Sequence, residues 1–162
     1  MATALCGDTL FVSDTDNDRI VMLDAGSLAW RGAFGKRGKQ PGELTKPAAL
    51  SVQAHRGELY VVEPTLQRVQ VFSLAGLWLR VAVAPGWCKP RGVAAVPGAL
   101  LVSESEGKRV LAVSQPEGTV LQELALPESV APYGIGLGEH GRVYVADSRA
   151  NAVHVLRVKV GA

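Results

Sequence analysis

The chain has 162 residues, enough for one ordinary domain or two very small ones. Apolar residues make up 48% of it and charged residues 20%, a composition typical of a globular protein and unlike that of a disordered one. A net charge of +2 gives no strong reason to expect nucleic acid, and no apolar run is long enough to span a bilayer.

Four copies of one segment follow each other along the chain, and each copy indicates two short apolar strands around a polar turn. The copies occupy residues 10–23, 59–72, 100–113 and 143–156. In each copy the first strand ends on an acidic residue, and these residues are Asp14, Glu63, Glu104 and Asp147. In the first three copies an arginine follows the acidic residue five positions later, whereas the fourth copy has Ala152 there.

A further strand is predicted on each side of these pairs. The preceding strands occupy 3–6, 47–52, 90–96 and 132–137, and the following strands occupy 28–34, 77–83 and 119–124. Four strands in roughly 40 residues, joined by glycine-rich turns, are typical of a blade of a β-propeller. Trp30 and Trp78 take matching positions in the outermost strands, so we expect them to pack between blades.

The sequence therefore predicts an all-β fold, a β-propeller of about four four-stranded antiparallel blades. We expect residues 1–162 to form a single propeller domain or segment with blades at approximately 3–46, 47–89, 90–131 and 132–162. Few residues remain after the third strand of the last copy. We therefore expect an incomplete ring, or one completed by another chain or by further sequence, since an open arc exposes adhesive apolar faces and strand edges.

Several of these segments resemble the NHL-repeat β-propeller family. The resemblance lies in the blade openings Pro90–Val93 and Pro132–Ile135, the Tyr-Val-Ala-Asp run at 144–147 and the Arg-Val-Gln-Val-Phe run at 68–72. Residues 34–47 are similar to that family's linker between blades. The resemblance implies a ring with more blades than this chain can supply. It also implies that binding of single-stranded RNA on a basic face is possible, because some members bind RNA in that way.

No convincing catalytic or metal-binding motif is found. His55, His140 and His154 lack the spacing that would bring histidines together on zinc. The acidic run 14–18 has alternating aspartates but lacks the turn glycine of a calcium loop. The peptide-amidating lyases, an NHL-type branch, use metal-bound histidines, and no histidine follows the blade-opening prolines here. We therefore predict no enzyme activity, no metal and no cofactor.

The loops between the second and third strands should emerge at the same end of each blade as the linkers, because the chain reverses at every turn. We call this the loop end, and we call the opposite end, with the remaining hairpins, the hairpin end. Binding sites favour loops on rigid scaffolds, and hot spots favour Trp, Tyr and Arg. The predicted partner-binding residues are cationic or aromatic residues of the loop end: Lys36, Arg37, Trp87, Lys89, Arg91 and Tyr133.

Acidic residues share the loop end with these cations, among them Glu43, Glu63 and Glu106. This mixed charge favours a protein partner over RNA. The sequence thus predicts a non-enzymatic protein-interaction scaffold, a subunit or segment of a larger assembly. The alternative is a propeller that binds single-stranded RNA through its basic linkers. The absence of a recognisable secretory leader and of a disulfide framework leads us to expect a cytoplasmic location.

Overall fold

The computed structural model describes residues 1–82, 86 and 89–157 of the chain. The chain divides into two compact units, an N-terminal unit, Met1–Val81, and a C-terminal unit, Ala82–Ala162. Each unit contains two antiparallel sheets whose strands are hydrogen-bonded in chain order. We number these sheets blades 1 to 4 and describe the units separately.

The N-terminal unit consists of blades 1 and 2, each with four strands. Blade 1 contains β1 (Thr3–Cys6), β2 (Thr9–Asp14), β3 (Arg19–Asp24) and β4 (Trp30–Phe34). Blade 2 contains β5 (Ala49–Gln53), β6 (Glu58–Glu63), β7 (Arg68–Ser73) and β8 (Trp78–Val81).

The C-terminal unit consists of blades 3 and 4. Blade 3 contains β9 (Pro90–Val96), β10 (Ala99–Glu104), β11 (Arg109–Ser114) and β12 (Val120–Ala125). Blade 4 contains β13 (Pro132–Leu137), β14 (Arg142–Asp147) and β15 (Ala152–Arg157), so that the described part of this blade has three strands. The helical structure in the described residues is limited to the 3-10 turns Thr15–Asn17, Ala54–Arg56 and Glu139–Gly141. No helix of sufficient length and apolar character to cross a bilayer occurs among these residues.

Each unit has a core between its two blades, because alternate strand residues point to opposite faces of a sheet. In the N-terminal unit Phe11 and Ile20 of blade 1 pack with Leu59 and Phe72 of blade 2. The ring centroids of Phe34 and Phe72 are 5.2 Å apart. In the C-terminal unit the residues that form the core are Ala94, Leu101, Val110 and Ala112 of blade 3 and Val143 and Val145 of blade 4.

A serine at the end of a second strand joins the two blades of each unit. The Ser13 hydroxyl donates to the Ala48 carbonyl of blade 2 at 3.2 Å. The Ser103 hydroxyl donates to the Tyr133 carbonyl of blade 4 at 2.6 Å. The corresponding residues of blades 2 and 4 are Val62 and Ala146, which have no hydroxyl. The same inter-blade hydrogen bond therefore recurs once in each unit.

The all-β propeller fold predicted from the sequence is confirmed, with the strand order and the antiparallel pairing expected of propeller blades. Trp30 and Trp78 depart from the predicted packing between blades, since they are 58% and 41% exposed. The grouping of 1–162 into a single domain, with the blade boundaries given above, stays a prediction.

Candidate functional site

The acidic residue of each copy anchors the loop end of its blade. Glu63 is fully buried, and Arg68 donates to its Oε2 at 2.7 Å while the backbone N–H of Thr45 donates to its Oε1 at 2.7 Å. Arg68 also donates to the Lys39 carbonyl at 2.7 Å and to the Glu43 carbonyl at 2.9 Å. The linker before blade 2 is therefore fixed to this blade by a buried carboxylate and its arginine, as a rigid binding platform requires.

In blade 4 the acidic residue fixes its linker and loop without an arginine, since Ala152 stands at the arginine position. Asp147 accepts hydrogen bonds from the backbone N–H groups of Ala131, Arg149 and Ala150 at 3.0 to 3.2 Å. The ring of His154 lies 3.1 Å from the other carboxylate oxygen. The hydrogen bond from Ala131, and then that with His154, hold the pKa of Asp147 well below its usual value. The aspartate thus serves to hold the loop in place and remains charged.

The predicted cations of the N-terminal unit are paired with acids. Lys36 Nζ lies 3.3 Å from Glu43 Oε1, and Arg37 Nε lies 3.6 Å from Asp18 Oδ2. Both cationic side chains are at least 80% exposed, so these pairs are weak and remain accessible. Lys46 likewise pairs with Asp16 at 2.8 Å. The basic linker therefore presents mixed charge to the solvent rather than a uniformly positive surface.

Three of the predicted residues come together at the loop end of the C-terminal unit. The Arg91 guanidinium carbon lies 5.3 Å from the centroid of the Tyr133 ring, within the range of a cation–π interaction. Tyr133 is 50% exposed. Lys89 Nζ pairs with Glu106 Oε1 at 2.9 Å. Arg91 and Tyr133 each follow the proline that opens a blade, and this equivalent position aligns them on neighbouring innermost strands.

Serines that the sequence analysis did not single out position this pair. Ser103 accepts from the Gly92 N–H at 2.9 Å and donates to the Tyr133 carbonyl, which fixes the two innermost strands side by side. Ser105 lies 3.4 Å from Arg91 Nε and 3.3 Å from the Lys89 carbonyl. The serine before the acidic residue in the first and third copies is the signal that would have revealed the inter-blade role.

The six predicted residues thus fall into separate groups. Lys36 and Arg37 belong to the N-terminal unit, and Lys89, Arg91 and Tyr133 belong to the C-terminal unit. Trp87 lies outside the described residues. The structure therefore provides one assembled group, which we call the Arg91–Tyr133 cluster: Lys89, Arg91, Ser105 and Tyr133. A binding role for it stays a prediction.

The described residues contain no group of three or more His, Cys, Asp or Glu side chains arranged to hold a metal ion. The three alternating aspartates of the first copy have separate partners instead. Asp14 accepts from Arg19 at 2.8 Å, Asp16 accepts from Lys46, and Asp18 accepts from the backbone N–H of Lys46 at 2.7 Å. Asp14 therefore stabilises the loop of its own blade, and Asp16 and Asp18 bind the linker at Lys46.

The hairpin end of blade 2 carries a nearly buried polar network. Arg80 donates to Glu58 Oε1 at 2.7 Å, and the Tyr60 hydroxyl donates to Glu58 Oε2 at 2.6 Å. Burial alone would raise the pKa of Glu58, but the hydrogen bonds from Arg80 and Tyr60 lower this pKa to about 2. Burial, together with the hydrogen bond to Glu58, raises the pKa of Tyr60 to about 12. The network consequently keeps its charge-paired form at neutral pH.

The hairpin end of the C-terminal unit has a pocket of about 260 Å³ between blades 3 and 4. Its lining combines apolar side chains with glycines and one arginine: Val96, Leu101, Leu137, Gly138, Gly141, Arg142 and Val143. The pocket and the Arg91–Tyr133 cluster lie at opposite ends of the same unit. The polar, half-exposed cluster has the chemistry that protein interfaces favour, so it is the candidate site.

Comparison with solved structures assigns the chain to the β-propeller class. It is similar to the computationally designed protein Ika4 with a TM-score of 0.68 and 13% identity, over 97% of this chain and 89% of that one. It is similar to a catalytically inactive virginiamycin B lyase from Staphylococcus aureus with a TM-score of 0.70 and 14% identity, over 99% and 56% of the chains. It is similar to the WD40 β-propeller domain of Doa1 with a TM-score of 0.68 and 16% identity, over 94% and 49%.

The chain thus spans about half the length of the lyase and of the WD40 domain. At these identities the likeness establishes the fold alone, and these propellers include both an enzyme and a WD40 domain. No protein-family model matches the chain, and no curated sequence matches it significantly. The propeller fold is therefore shown, while membership of the NHL family stays a prediction.

Proposed function

We propose that the protein is a non-enzymatic scaffold propeller that binds another protein through the Arg91–Tyr133 cluster. The observation that carries the proposal is a half-exposed tyrosine stacked by an arginine on a braced loop end. Tyrosine and arginine are enriched among residues that dominate binding energy, and a stacked pair loses little side-chain entropy on binding. WD40 propellers among the similar structures support a scaffold in general terms.

The charges around the cluster indicate the chemistry of the partner. Glu106 and Glu128 pair with Lys89 and Lys108, so the local surface carries both signs close together. A protein segment with its own mixed charges matches such a surface, whereas a phosphate backbone requires an excess of cations. A protein partner therefore fits the loop end better than RNA. A cytoplasmic location and a place in a larger assembly remain parts of the proposal.

The proposal is tested by affinity capture with the tagged chain and quantitative identification of co-purifying proteins. Arg91→Glu with Tyr133→Ala should reduce recovery of the specific partner at least about tenfold, because both anchors are lost. Glu117→Lys changes an exposed charge at the hairpin end of blade 3 and should leave recovery unchanged. Equal recovery with the double variant, or loss with Glu117→Lys alone, would show that the loop end is not the binding surface.

Single-stranded RNA is the alternative ligand, and the exposed Tyr133 ring is the feature that favours it, because bases stack on aromatic side chains. Fluorescence anisotropy with short labelled oligonucleotides at about 50 and 200 mM salt separates the two ligands. The protein proposal predicts weak binding with no loss on Tyr133→Ala. Submicromolar, strongly salt-dependent binding that requires Tyr133 would replace the protein proposal with the RNA alternative.

A further inference from the structure

The pocket at the hairpin end of the C-terminal unit is a place where blades 3 and 4 do not fill the space between them. Its volume is about 260 Å³. Leu101 of blade 3 and Val143 of blade 4 line its inner part and are each 1% exposed. Leu137, which is 49% exposed, lies at its rim, so the pocket is open to the solvent. Protein interiors rarely leave gaps larger than a water molecule, so a space of this size requires an explanation from the sequence.

The repeat provides this explanation, because the N-terminal unit has larger residues at the equivalent positions. Leu101 takes the place of Phe11 in blade 1, since each lies two residues before the serine that joins two blades. Val143 takes the place of Leu59 in blade 2, since each is the second residue of its blade's second strand. Phe11 and Leu59 are buried in one cluster. The N-terminal unit thus places a phenyl ring where the C-terminal unit has the smaller side chain of leucine.

The same difference in size extends through the core between the blades. In the opposite direction, Val96 and Leu137 are larger than their equivalents Cys6 and Val52, but both lie at partly exposed positions. The C-terminal unit therefore leaves room that the N-terminal unit fills with its own aromatic and thioether groups. At four further pairs of equivalent positions the residue of the N-terminal unit is the larger one: Ile20 and Val110, Met22 and Ala112, Phe34 and Leu124, Phe72 and Leu156.

The side chains that face the interior of the pocket are apolar. Val96, Leu101 and Val143 all belong to the core between blades 3 and 4. Arg142 also lines the pocket, but it alternates with Val143 along β14, so its side chain leaves from the face of blade 4 that is turned away from blade 3. A charged ligand would lose its hydration without gaining a partner among the described side chains of the interior. The lining therefore favours an uncharged, apolar ligand.

We propose that this pocket binds a small uncharged aromatic molecule of one or two rings. An apolar cavity of about 150 Å³ holds benzene, so a pocket of about 260 Å³ has room for a somewhat larger ring system. Phe11, Phe34 and Phe72 pack in the equivalent region of the N-terminal unit, and the flat shape of a ring thus suits the space between two such blades. The inference concerns a second site and does not depend on which ligand the loop end binds.

Methyl NMR spectroscopy of the purified chain, titrated with indole, tests the proposal. The dissociation constant should be about 1 mM or lower, which a ligand of this size can reach in an apolar pocket. Indole-3-carboxylate should bind at least about tenfold more weakly, because its charge would be buried without a partner. The methyl groups of Leu59, in the filled core of the N-terminal unit, should not shift. Saturable shifts should appear at the methyl groups of the pocket: Val96, Leu101, Leu137 and Val143.

Variants that restore the larger residues of the N-terminal unit should close the pocket. Leu101→Phe should weaken indole binding at least about tenfold, because the new ring occupies the space of the ligand. Val143→Leu is a second, smaller filling that should act in the same direction. Leu121→Phe is the matched control, since it adds the same ring at a 51% exposed position in the outermost strand of blade 3. Circular dichroism and thermal unfolding check that each variant retains its fold.

Three results would overturn the proposal. The first is a lack of saturable shifts up to about 5 mM indole. The second is an unchanged indole affinity in folded Leu101→Phe and Val143→Leu chains, or an equal loss of affinity in Leu121→Phe. The third concerns N-acetyltryptophanamide, which presents the same ring as part of a polypeptide. If it bound about tenfold more tightly than indole, the pocket would accept a side chain of a partner protein rather than a free aromatic molecule.

Discussion

Glu58 shows how a single carboxylate contributes to the stability of a blade. Its side chain is 8% exposed and is held by Arg80, Arg56 and the Tyr60 hydroxyl. Its folded-state pKa of about 2 lies below the unfolded value of 4.5, so folding favours the charged form. A difference of this size corresponds to about 3 kcal/mol of stability at neutral pH.

Replacing Glu58 with glutamine should remove this pH-dependent stabilisation. The contribution of a carboxylate with a lowered pKa is fully present above the unfolded pKa and is lost as the pH falls towards the folded pKa. Denaturant unfolding should therefore show a large deficit for Glu58→Gln at pH 7 that shrinks between about pH 4.5 and pH 2. Glu117→Gln, at an exposed position, should show no deficit. A deficit independent of pH would contradict the assignment of the stabilisation to the ionised carboxylate.

Ser103 tests the hydrogen bond that joins blades 3 and 4. Ser103→Ala leaves the Tyr133 carbonyl and the Gly92 N–H without this partner, which should cost about 1 to 3 kcal/mol of unfolding free energy. Ser148→Ala removes an exposed hydroxyl that donates to the Ala131 carbonyl and should cost less than half as much. If chemical denaturation gave equal losses of unfolding free energy for the two variants, the inter-blade hydrogen bond would contribute no more than an exposed one.

Gly92 allows the innermost strands of blades 3 and 4 to approach each other. A Cβ at this position would lie 2.6 Å from the Tyr133 carbonyl oxygen and 2.8 Å from the Ile135 nitrogen, both backbone atoms that cannot easily move. At Gly134, the equivalent position in blade 4, the nearest atom to a Cβ would be 4.0 Å away. Only the first position therefore excludes a side chain within the unit.

Gly92→Ala should accordingly destabilise the chain by about 1 to 3 kcal/mol through overpacking, whereas Gly134→Ala should change the unfolding free energy by less than about 0.5 kcal/mol. Thermal and urea unfolding of both variants provide the measurement. A similar effect of the two substitutions would contradict the close strand packing between blades 3 and 4. A selective loss of the Arg91–Tyr133 contact in Gly92→Ala would further link this packing to the candidate site.

The strands were predictable because their patterning repeats. The prolines that open blades 3 and 4 fix the starts of β9 and β13, and both strands were predicted with the observed bounds. The start of β4 was predicted two residues early, since Leu28 adopts a positive φ of 59° in the turn before it. The prediction that Trp30 and Trp78 pack between blades was wrong, because an outermost strand has few neighbouring residues that could cover a large ring.

The candidate site was predictable only in part. Arg91 and Tyr133 were predicted because of their residue types and their position at the loop end, and the repeat places both directly after a blade-opening proline. The role of Ser103 was missed because its hydrogen bond to the Tyr133 carbonyl depends on the packing of blade 3 against blade 4. Ser105 was missed because it lies in a turn and contacts Lys89 and Arg91, which are distant in the sequence. Lys36 and Arg37 were predicted from their positive charge. Their pairing with Glu43 and Asp18 could not be predicted, because the repeat pattern does not relate these positions.

Across the whole molecule, a buried acidic residue stabilises the loop end of blades 2, 3 and 4: Glu63, Glu104 and Asp147. The loop end of the C-terminal unit carries the Arg91–Tyr133 cluster, which we propose as the surface that binds another protein.

Hydrogen–deuterium exchange of the chain, alone and with its captured partner, tests the recognition surface most directly. The account predicts increased protection on binding at residues 89–92, 104–106 and 131–134, where the Arg91–Tyr133 cluster and its supporting serines lie. It predicts no change at the hairpin-end segments 115–118 and 138–141 of the same unit. Protection confined to the hairpin-end segments, with unchanged exchange around Arg91 and Tyr133, would contradict recognition through the loop end.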